Sequence, residues 1–191
     1  GIYIKKTLKN YNIEIYKILK NRQIKGIPKV YEIIEDEKEL IIIEEYIHGL
    51  TLDKKYNKTD VETVKKIMEQ LCNILKQLHN MNPPIIHRDI KPTNIMVSND
   101  DVVYLVDFNI SREYDEKQSV DTVIMGTQGY ASPEQCGFAQ TDCRSDIYSI
   151  GMLMKNILML DEYPDKETKK LKRIIDKCTS IDPGKRYKNI E

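Results

Sequence analysis

The sequence predicts an α+β protein of two parts, a small lobe that mixes strands with one helix and a larger lobe built mainly of helices. Three observations carry that expectation. Strand-like runs crowd around one short helical pattern before residue 48, the longest helical periodicity runs from Val64 to Leu78, and an almost wholly apolar helical stretch follows Asp146. No internal repeat or low-complexity linker interrupts this order. The expected division lies close to Gly49, with residues 1–47 in the small lobe and 48–191 in the large one.

Taken in order, residues 11–21 place Ile15, Ile18 and Leu19 on one helical face, and Gly26 and Pro28 end the short helix they predict. The runs VYEII and ELIIIEEY flank the polar turn Glu35-Asp36-Glu37-Lys38, the pattern of a strand hairpin. Its second strand is continuously apolar, which predicts cover on both faces. Thr59-Asp60-Val61-Glu62 fits a capping box in which Glu62 reaches back to the helix start. A long helix should follow, with Val64, Ile67, Met68, Leu71, Ile74, Leu75 and Leu78 in register until Asn80, where Pro83-Pro84 prevent continuation. Asn94–Ser98 and Val102–Val106 surround Asn99-Asp100-Asp101 as a second hairpin. The polar stretch from Ser111 to Gln128 lacks periodicity, and connections of that length usually carry function or lack order. Asp146 to Leu160 reads as a helix too apolar all round for the surface, and Lys166 to Thr179 as a final amphipathic one.

Composition narrows the function classes. The 191 residues, 40% hydrophobic and 31% charged, suffice for one sizeable core or two small lobes. Thirty basic residues balance thirty acidic ones, so no global field draws in nucleic acid or an anionic membrane, and no nucleic-acid partner is expected. No apolar run approaches the roughly 20 residues needed to cross a bilayer, and Gly1-Ile2-Tyr3-Ile4-Lys5-Lys6 lacks the layout of a signal peptide. A cytoplasmic protein, or the cytosolic portion of a membrane-anchored one, is expected. Cys72, Cys136, Cys143 and Cys178 are spaced too irregularly for a zinc ribbon or redox pair and read as reduced, structural thiols.

The chemistry concentrates in three segments. Ile86-His87-Arg88-Asp89-Ile90-Lys91-Pro92-Thr93-Asn94 follows the long helix, Asp107-Phe108-Asn109 comes thirteen residues after Asn94, and Gly126-Thr127-Gln128-Gly129-Tyr130-Ala131-Ser132-Pro133-Glu134 comes next. Singly, each has an ordinary explanation, since an HRD triplet arises by chance and an Asp after a strand often only caps a turn. In combination they resemble the eukaryotic-like (Hanks-type) serine/threonine protein kinase family, in a bacterial-like form, and the resemblance extends over nearly the whole chain. It implies a two-lobed protein kinase-like fold with a truncated small β-rich lobe and a larger α-helical lobe. It also implies an enzyme that transfers the γ-phosphate of ATP to serine and threonine hydroxyls of proteins, with autophosphorylation. Two other readings stay open: a pseudokinase or scaffold that only binds, and a small-molecule phosphotransferase with a kinase-like fold. The segment from Gly126 to Glu134, similar to a peptide-substrate platform, weighs against the second.

Phosphoryl transfer needs a carboxylate to take the proton of the substrate hydroxyl and cations to neutralise the phosphate oxygens. By resemblance Asp89 is that carboxylate, Lys91 contacts the γ-phosphate, Asn94 and Asp107 hold Mg²⁺ or Mn²⁺ through hard oxygens, and Thr127 braces Asp89 and Lys91. His87 and Phe108 belong to an apolar stack that continues through Ile18 and Val30, Glu134 pairs with Arg186, and Asp146 braces the catalytic loop from beneath. The small lobe should supply a strand lysine that contacts the α- and β-phosphates and pairs with a helix glutamate. Lys6, which shares a strand face with Ile4 and Leu8, is favoured, Lys5 is its rival, and Glu14 is the expected partner. Backbone groups of about Glu45 and Ile47 would bind the adenine edge. Glu44 falls at the gatekeeper position beside them, where an acidic residue is unusual, and its direction, toward nucleotide or toward a lysine, stays open. His48 and His79 read as surface residues. Arg88 resembles the arginine of kinases switched by activation-loop phosphorylation, with Ser119 and Thr122 as acceptors.

Two departures from the family pattern matter. Gly1 and Gly26 are the only glycines ahead of Gly49, so a glycine-rich phosphate loop is missing, and the strands that should cover ATP are expected to be absent. Exposed small-lobe edges would then invite self-association. The usual Asp-Phe-Gly reads Asp107-Phe108-Asn109, and asparagine suits that place because it tolerates left-handed backbone angles best after glycine.

Overall fold

The computed structural model describes residues 1–9, 11–56, 59–115, 126–137, 140–158 and 166–191. The first sheet is antiparallel, with β3 (Leu40–Glu45) between β1 (Tyr3–Leu8) and β2 (Val30–Glu35). The isoleucine run makes β3 the natural centre, because β-branched side chains suit a pleated, covered surface. Leu40, Ile42 and Glu44 are buried while Ile41, Ile43 and Glu45 are half-buried, so one face is fully covered rather than the expected two. The helix α1 (Ile13–Asn21) packs against β2 and protects one side only. Asn12 caps α1 by accepting the Glu14 N–H at 3.2 Å, and the buried face is Ile15, Tyr16 and Leu19, with Ile18 at its margin.

A second sheet begins where β4 (Gly49–Thr51) joins β6 (Ile95–Ser98) and β7 (Val103–Leu105) in the order β4-β6-β7. Gly49 permits this pairing, because a Cβ there would lie 2.3 Å from the Val97 carbonyl oxygen. After the single turn α2 (Leu52–Lys55) comes α3 (Val61–His79). Its N-cap is Asp60, one residue later than the capping-box reading: the Asp60 carboxylate accepts the Thr63 N–H at 2.9 Å and the Thr63 hydroxyl at 3.0 Å. With Asp60 as the N-cap, the third helical position is Thr63, so Glu62 no longer stands where a capping box places its backward-reaching carboxylate. All seven apolar residues expected on the inner face of α3 are buried. At about 1.5–3 kcal/mol per fully buried side chain, packing rather than propensity holds this helix.

A two-residue pair that periodicity cannot reveal, β5 (Ile85–Ile86) with β8 (Arg112–Glu113), ties the chain before His87 to the chain after Asn109. The last helices are α4 (Cys143–Ile157), which begins three residues before Asp146, and α5 (Lys166–Cys178). Asp142 caps α4 through the Arg144 N–H at 2.8 Å. Gly26, between α1 and β2, ties this part of the chain to the second sheet, its carbonyl accepting the Leu105 N–H at 2.8 Å. Its φ of +87° and its closeness to Ile74, 2.5 Å from an added Cβ, leave room for glycine alone.

Candidate active site

Residues 87–94 connect β5 to β6, and their shape is set from below by one buried carboxylate. Asp146, in the first turn of α4 and fully buried, accepts the N–H of His87 and of Arg88, each at 2.9 Å, and the His79 Nε2–H at 2.9 Å. Burial alone would raise the Asp146 pKa, but hydrogen bonding and charge from His79 outweigh it and hold the carboxyl below its ordinary value. Arg88 adopts φ of 70°, a left-handed angle unusual outside glycine, and its carbonyl accepts Gln135 Nε2–H at 2.7 Å. The Ser111 hydroxyl donates to the His87 carbonyl at 3.0 Å, so the loop is tied down from three sides.

The loop presents Asp89. Its Oδ1 accepts the Thr127 hydroxyl at 2.7 Å, and its Oδ2 accepts Asn94 Nδ2–H at 2.9 Å and lies 2.8 Å from Lys91 Nζ. Lys91 also donates to the Thr127 Oγ1 at 2.8 Å, so lysine, threonine, asparagine and aspartate close into one network. The Asn94 amide is committed as a donor, since Nδ2 also reaches the Asp89 carbonyl at 3.0 Å, which leaves the Asn94 Oδ1 as an acceptor free among the described residues.

The hairpin β6–β7 returns the chain to this place. The Val106 N–H donates to the Asn94 carbonyl at 2.9 Å, setting Asp107 beside Asn94. These two residues offer one amide oxygen and one carboxylate, a hard-oxygen pair that suits a divalent cation sharing its remaining positions with phosphate and water. Asp107 has φ of 67°, whereas Asn109 is not left-handed. The reason foreseen for asparagine at 109 therefore does not apply; its side chain accepts the buried Tyr16 hydroxyl at 2.7 Å instead. Burial, followed by the charges of Asp107 and Glu44, pushes the Tyr16 phenol up, so it stays a donor.

His87 and Phe108 pack edge to face with ring centroids 4.8 Å apart, both buried. Burial lowers the His87 pKa against the pull of Asp146, Asp89 and Asp107. A neutral ring fits its contacts, Nε2 facing the Val106 carbonyl at 3.3 Å and Nδ1 receiving the Asp89 N–H at 3.3 Å. Glu134 and Arg186 form a buried bidentate pair, 2.6 and 2.8 Å. Burial works against the Glu134 charge, but Arg186 outweighs it and keeps the carboxyl below its ordinary range. Arg186 also donates to the carbonyls of Arg144, Ser180 and Ile181, which satisfies the guanidinium.

In the small lobe Ile4, Lys6 and Leu8 share the inward face of β1, and Lys5 is exposed, which removes it as the rival. The Lys6 Nζ lies 2.5 Å from Glu44 Oε1. The expected partner, Glu14, is on the solvent side of α1 and pairs with Lys17 at 2.8 Å. That pairing corrects the sequence expectation: with Ile15, Tyr16 and Leu19 turned inward, position 14 must point out. At Glu45 the N–H donates to the Lys29 carbonyl at 2.9 Å and the carboxylate accepts the Lys29 N–H at 3.1 Å; Ile47 is buried. Ser119 and Thr122 lie outside the described residues.

His48 is exposed and touches Tyr46, but His79 is not a surface residue, its side chain being 7% exposed. Its signal was present in the sequence, four residues after Leu75 on the apolar stripe of α3. Burial opposes its charge, yet Asp146 and Cys143 together raise its pKa to about 10. Tyr16 and Gln135 were also missed, because their roles depend on partners 93 and 47 residues away. Cys72 and Cys178 face an apolar cavity between α3, α4 and α5, and burial raises both thiols to about 11, so neither is a ready nucleophile.

A family model described as the protein kinase domain matches residues 3–190. The chain is 36% identical over 131 residues to a probable serine/threonine-protein kinase of Clostridium acetobutylicum, covering 68% of this chain and 20% of that protein. It is 28% identical over 189 residues to serine/threonine-protein kinase D of a Synechocystis strain, covering 86% and 37%, and 36% identical over 121 residues to PknB of Mycobacterium tuberculosis, covering 61% and 19%. The chain thus spans 19% to 37% of the length of these relatives. With the network around Asp89 and a match that runs almost end to end, the chain belongs to the protein kinase family, and the relatives it resembles are serine/threonine-protein kinases.

Proposed function

We propose that this chain is the catalytic core of an ATP-dependent serine/threonine protein kinase, with residues 1–47 and 48–191 as the lobes between which nucleotide binds. The observation that carries this reading is the convergence of Thr127, Asn94 and Lys91 on the one carboxylate of Asp89. Asp89 takes the proton of the substrate hydroxyl while the hydroxyl oxygen bonds to the γ-phosphorus, and the bond from that phosphorus to the bridging oxygen breaks to release ADP. Lys91 offsets the charge that grows on the transferred group, and Thr127 keeps carboxylate and ammonium in register. Asn94 and Asp107 would hold Mg²⁺ or Mn²⁺, which supplies charge neutralisation on the phosphates.

Support for a protein substrate comes from the shelf beside Asp89. The N–H groups of Tyr130 and Ala131 close a turn on the Thr127 carbonyl, Ser132 and Gln135 cap each other, and Glu134 is anchored to Arg186. A rigid shelf suits an extended peptide better than a sugar. Self-phosphorylation and a cytoplasmic setting belong to the same proposal.

The test is phosphate incorporation from Mg-ATP into a generic protein substrate, read by intact mass, for the protein that carries this chain and its Asp89→Asn variant. Transfer to serine or threonine that falls about 10²–10⁴-fold in the variant is the expected result. No transfer to protein by the folded wild type would overturn the reading in favour of a scaffold, and transfer to small alcohols alone would favour a small-molecule phosphotransferase.

A further inference from the structure

The geometry points to Glu44, not the helix glutamate Glu14, as the residue that positions Lys6 for the nucleotide phosphates, an inference that rests on the kinase reading above. The antiparallel register sets Ile4 opposite Glu44 and Lys6 opposite Ile42, so Lys6 and Glu44 are diagonal neighbours on the same inward face. Glu44 is 8% exposed, and its carboxylate lies 2.5 Å from the ammonium of Lys6. A carboxylate this far from water requires a charged partner.

Helix geometry excludes the alternative. Successive residues of an α-helix turn by about 100°, so positions 14 and 16 lie about 200° apart, on nearly opposite faces. Tyr16 is 1% exposed, and its hydroxyl is held by Asn109, two residues beyond Asp107. Bringing Glu14 to Lys6 would pull Tyr16 out of the core and break that bond. Two couples therefore stand where one helix-to-strand pair would: Lys6 with Glu44 inside the sheet, and Tyr16 with Asn109 between α1 and the loop of Asp107. The partner of the lysine is then supplied by the sheet and not by α1.

Glu44→Gln, Glu44→Asp, Glu14→Gln, Lys6→Met and the double variant Lys6→Met/Glu44→Gln are compared in the protein that carries this chain. The readouts are kcat and the KM for ATP, the melting temperature, and the rate at which an amine-acylating reagent modifies Lys6, followed by peptide mass spectrometry. Glu44→Gln is expected to lower kcat/KM for ATP by roughly 10- to 100-fold, the usual effect of losing a bond to a charged group, with Glu44→Asp recovering part of it. The double variant should be no worse than Lys6→Met, and Lys6 should acylate faster in Glu44→Gln than in Glu14→Gln. A larger loss and faster Lys6 acylation in Glu14→Gln would overturn the inference. If no variant or wild type transfers phosphate, the kinase reading fails by itself, and the acylation rates still decide which glutamate holds Lys6.

Discussion

Replacing His79 by glutamine isolates one buried charge at the base of the catalytic loop. The glutamine amide still reaches Asp146 as a donor, but the cation is gone. In the folded protein the imidazole pKa rises from 6.5 to about 10, the pull of Asp146 and Cys143 outweighing the cost of burial. A displacement of that size corresponds to at most about 5 kcal/mol of preference for the charged form, and breaking a buried ion pair usually costs about 3–5 kcal/mol. The folded state binds this proton more tightly than the unfolded one. Its contribution is therefore complete below the unfolded pKa of 6.5 and is lost as pH rises through the folded value of about 10. Urea unfolding from about pH 6 to about pH 10 should show the wild type losing up to about 1.4 kcal/mol per pH unit above neutrality relative to His79→Gln. The two proteins should differ by about 3–5 kcal/mol near pH 7 and converge near pH 10. A gap that does not change with pH would refute the reasoning, because it would show that His79 contributes shape and not charge.

Other perturbations probe the remaining supports. Arg186→Met strands the Glu134 carboxylate among buried groups and should cost about 3–5 kcal/mol by urea unfolding, with Glu134→Gln in the same chain restoring part of the loss. If the double variant is less stable than Arg186→Met, the pair is not the source of the effect. Tyr16→Phe and Asn109→Gly each remove the same hydrogen bond, so each should cost about 0.5–1.5 kcal/mol, and together they should cost less than their sum. Strict additivity would show that the two side chains are uncoupled.

Much of the large lobe was legible because its signals are local. The stripe from Val64 to Leu78, the hairpin around Asn99-Asp100-Asp101 and the apolar run after Asp146 are each decided by neighbours within a few residues. The grouping of Asp89, Lys91 and Asn94 is equally short-range, since all three lie within six residues of chain. Elements of two residues, such as β5 and β8, carry no period to read. The cap of α3 was misplaced by one position because threonine and aspartate are both good caps and only the backbone angle chooses between them.

Residue chemistry and order determined which groups this protein has for phosphoryl transfer and that they occupy one loop, one hairpin end and one turn. Which carboxylate faces Lys6, what Asn109 is for, and whether His79 is wet or buried were decided only by tertiary structure. The reason is the same in each case. A side chain's type is a property of the sequence, but the direction it points follows from which face of its helix or strand gains most by burial. For α1 that choice went to Tyr16, which put Glu14 in water and left the sheet to supply Glu44.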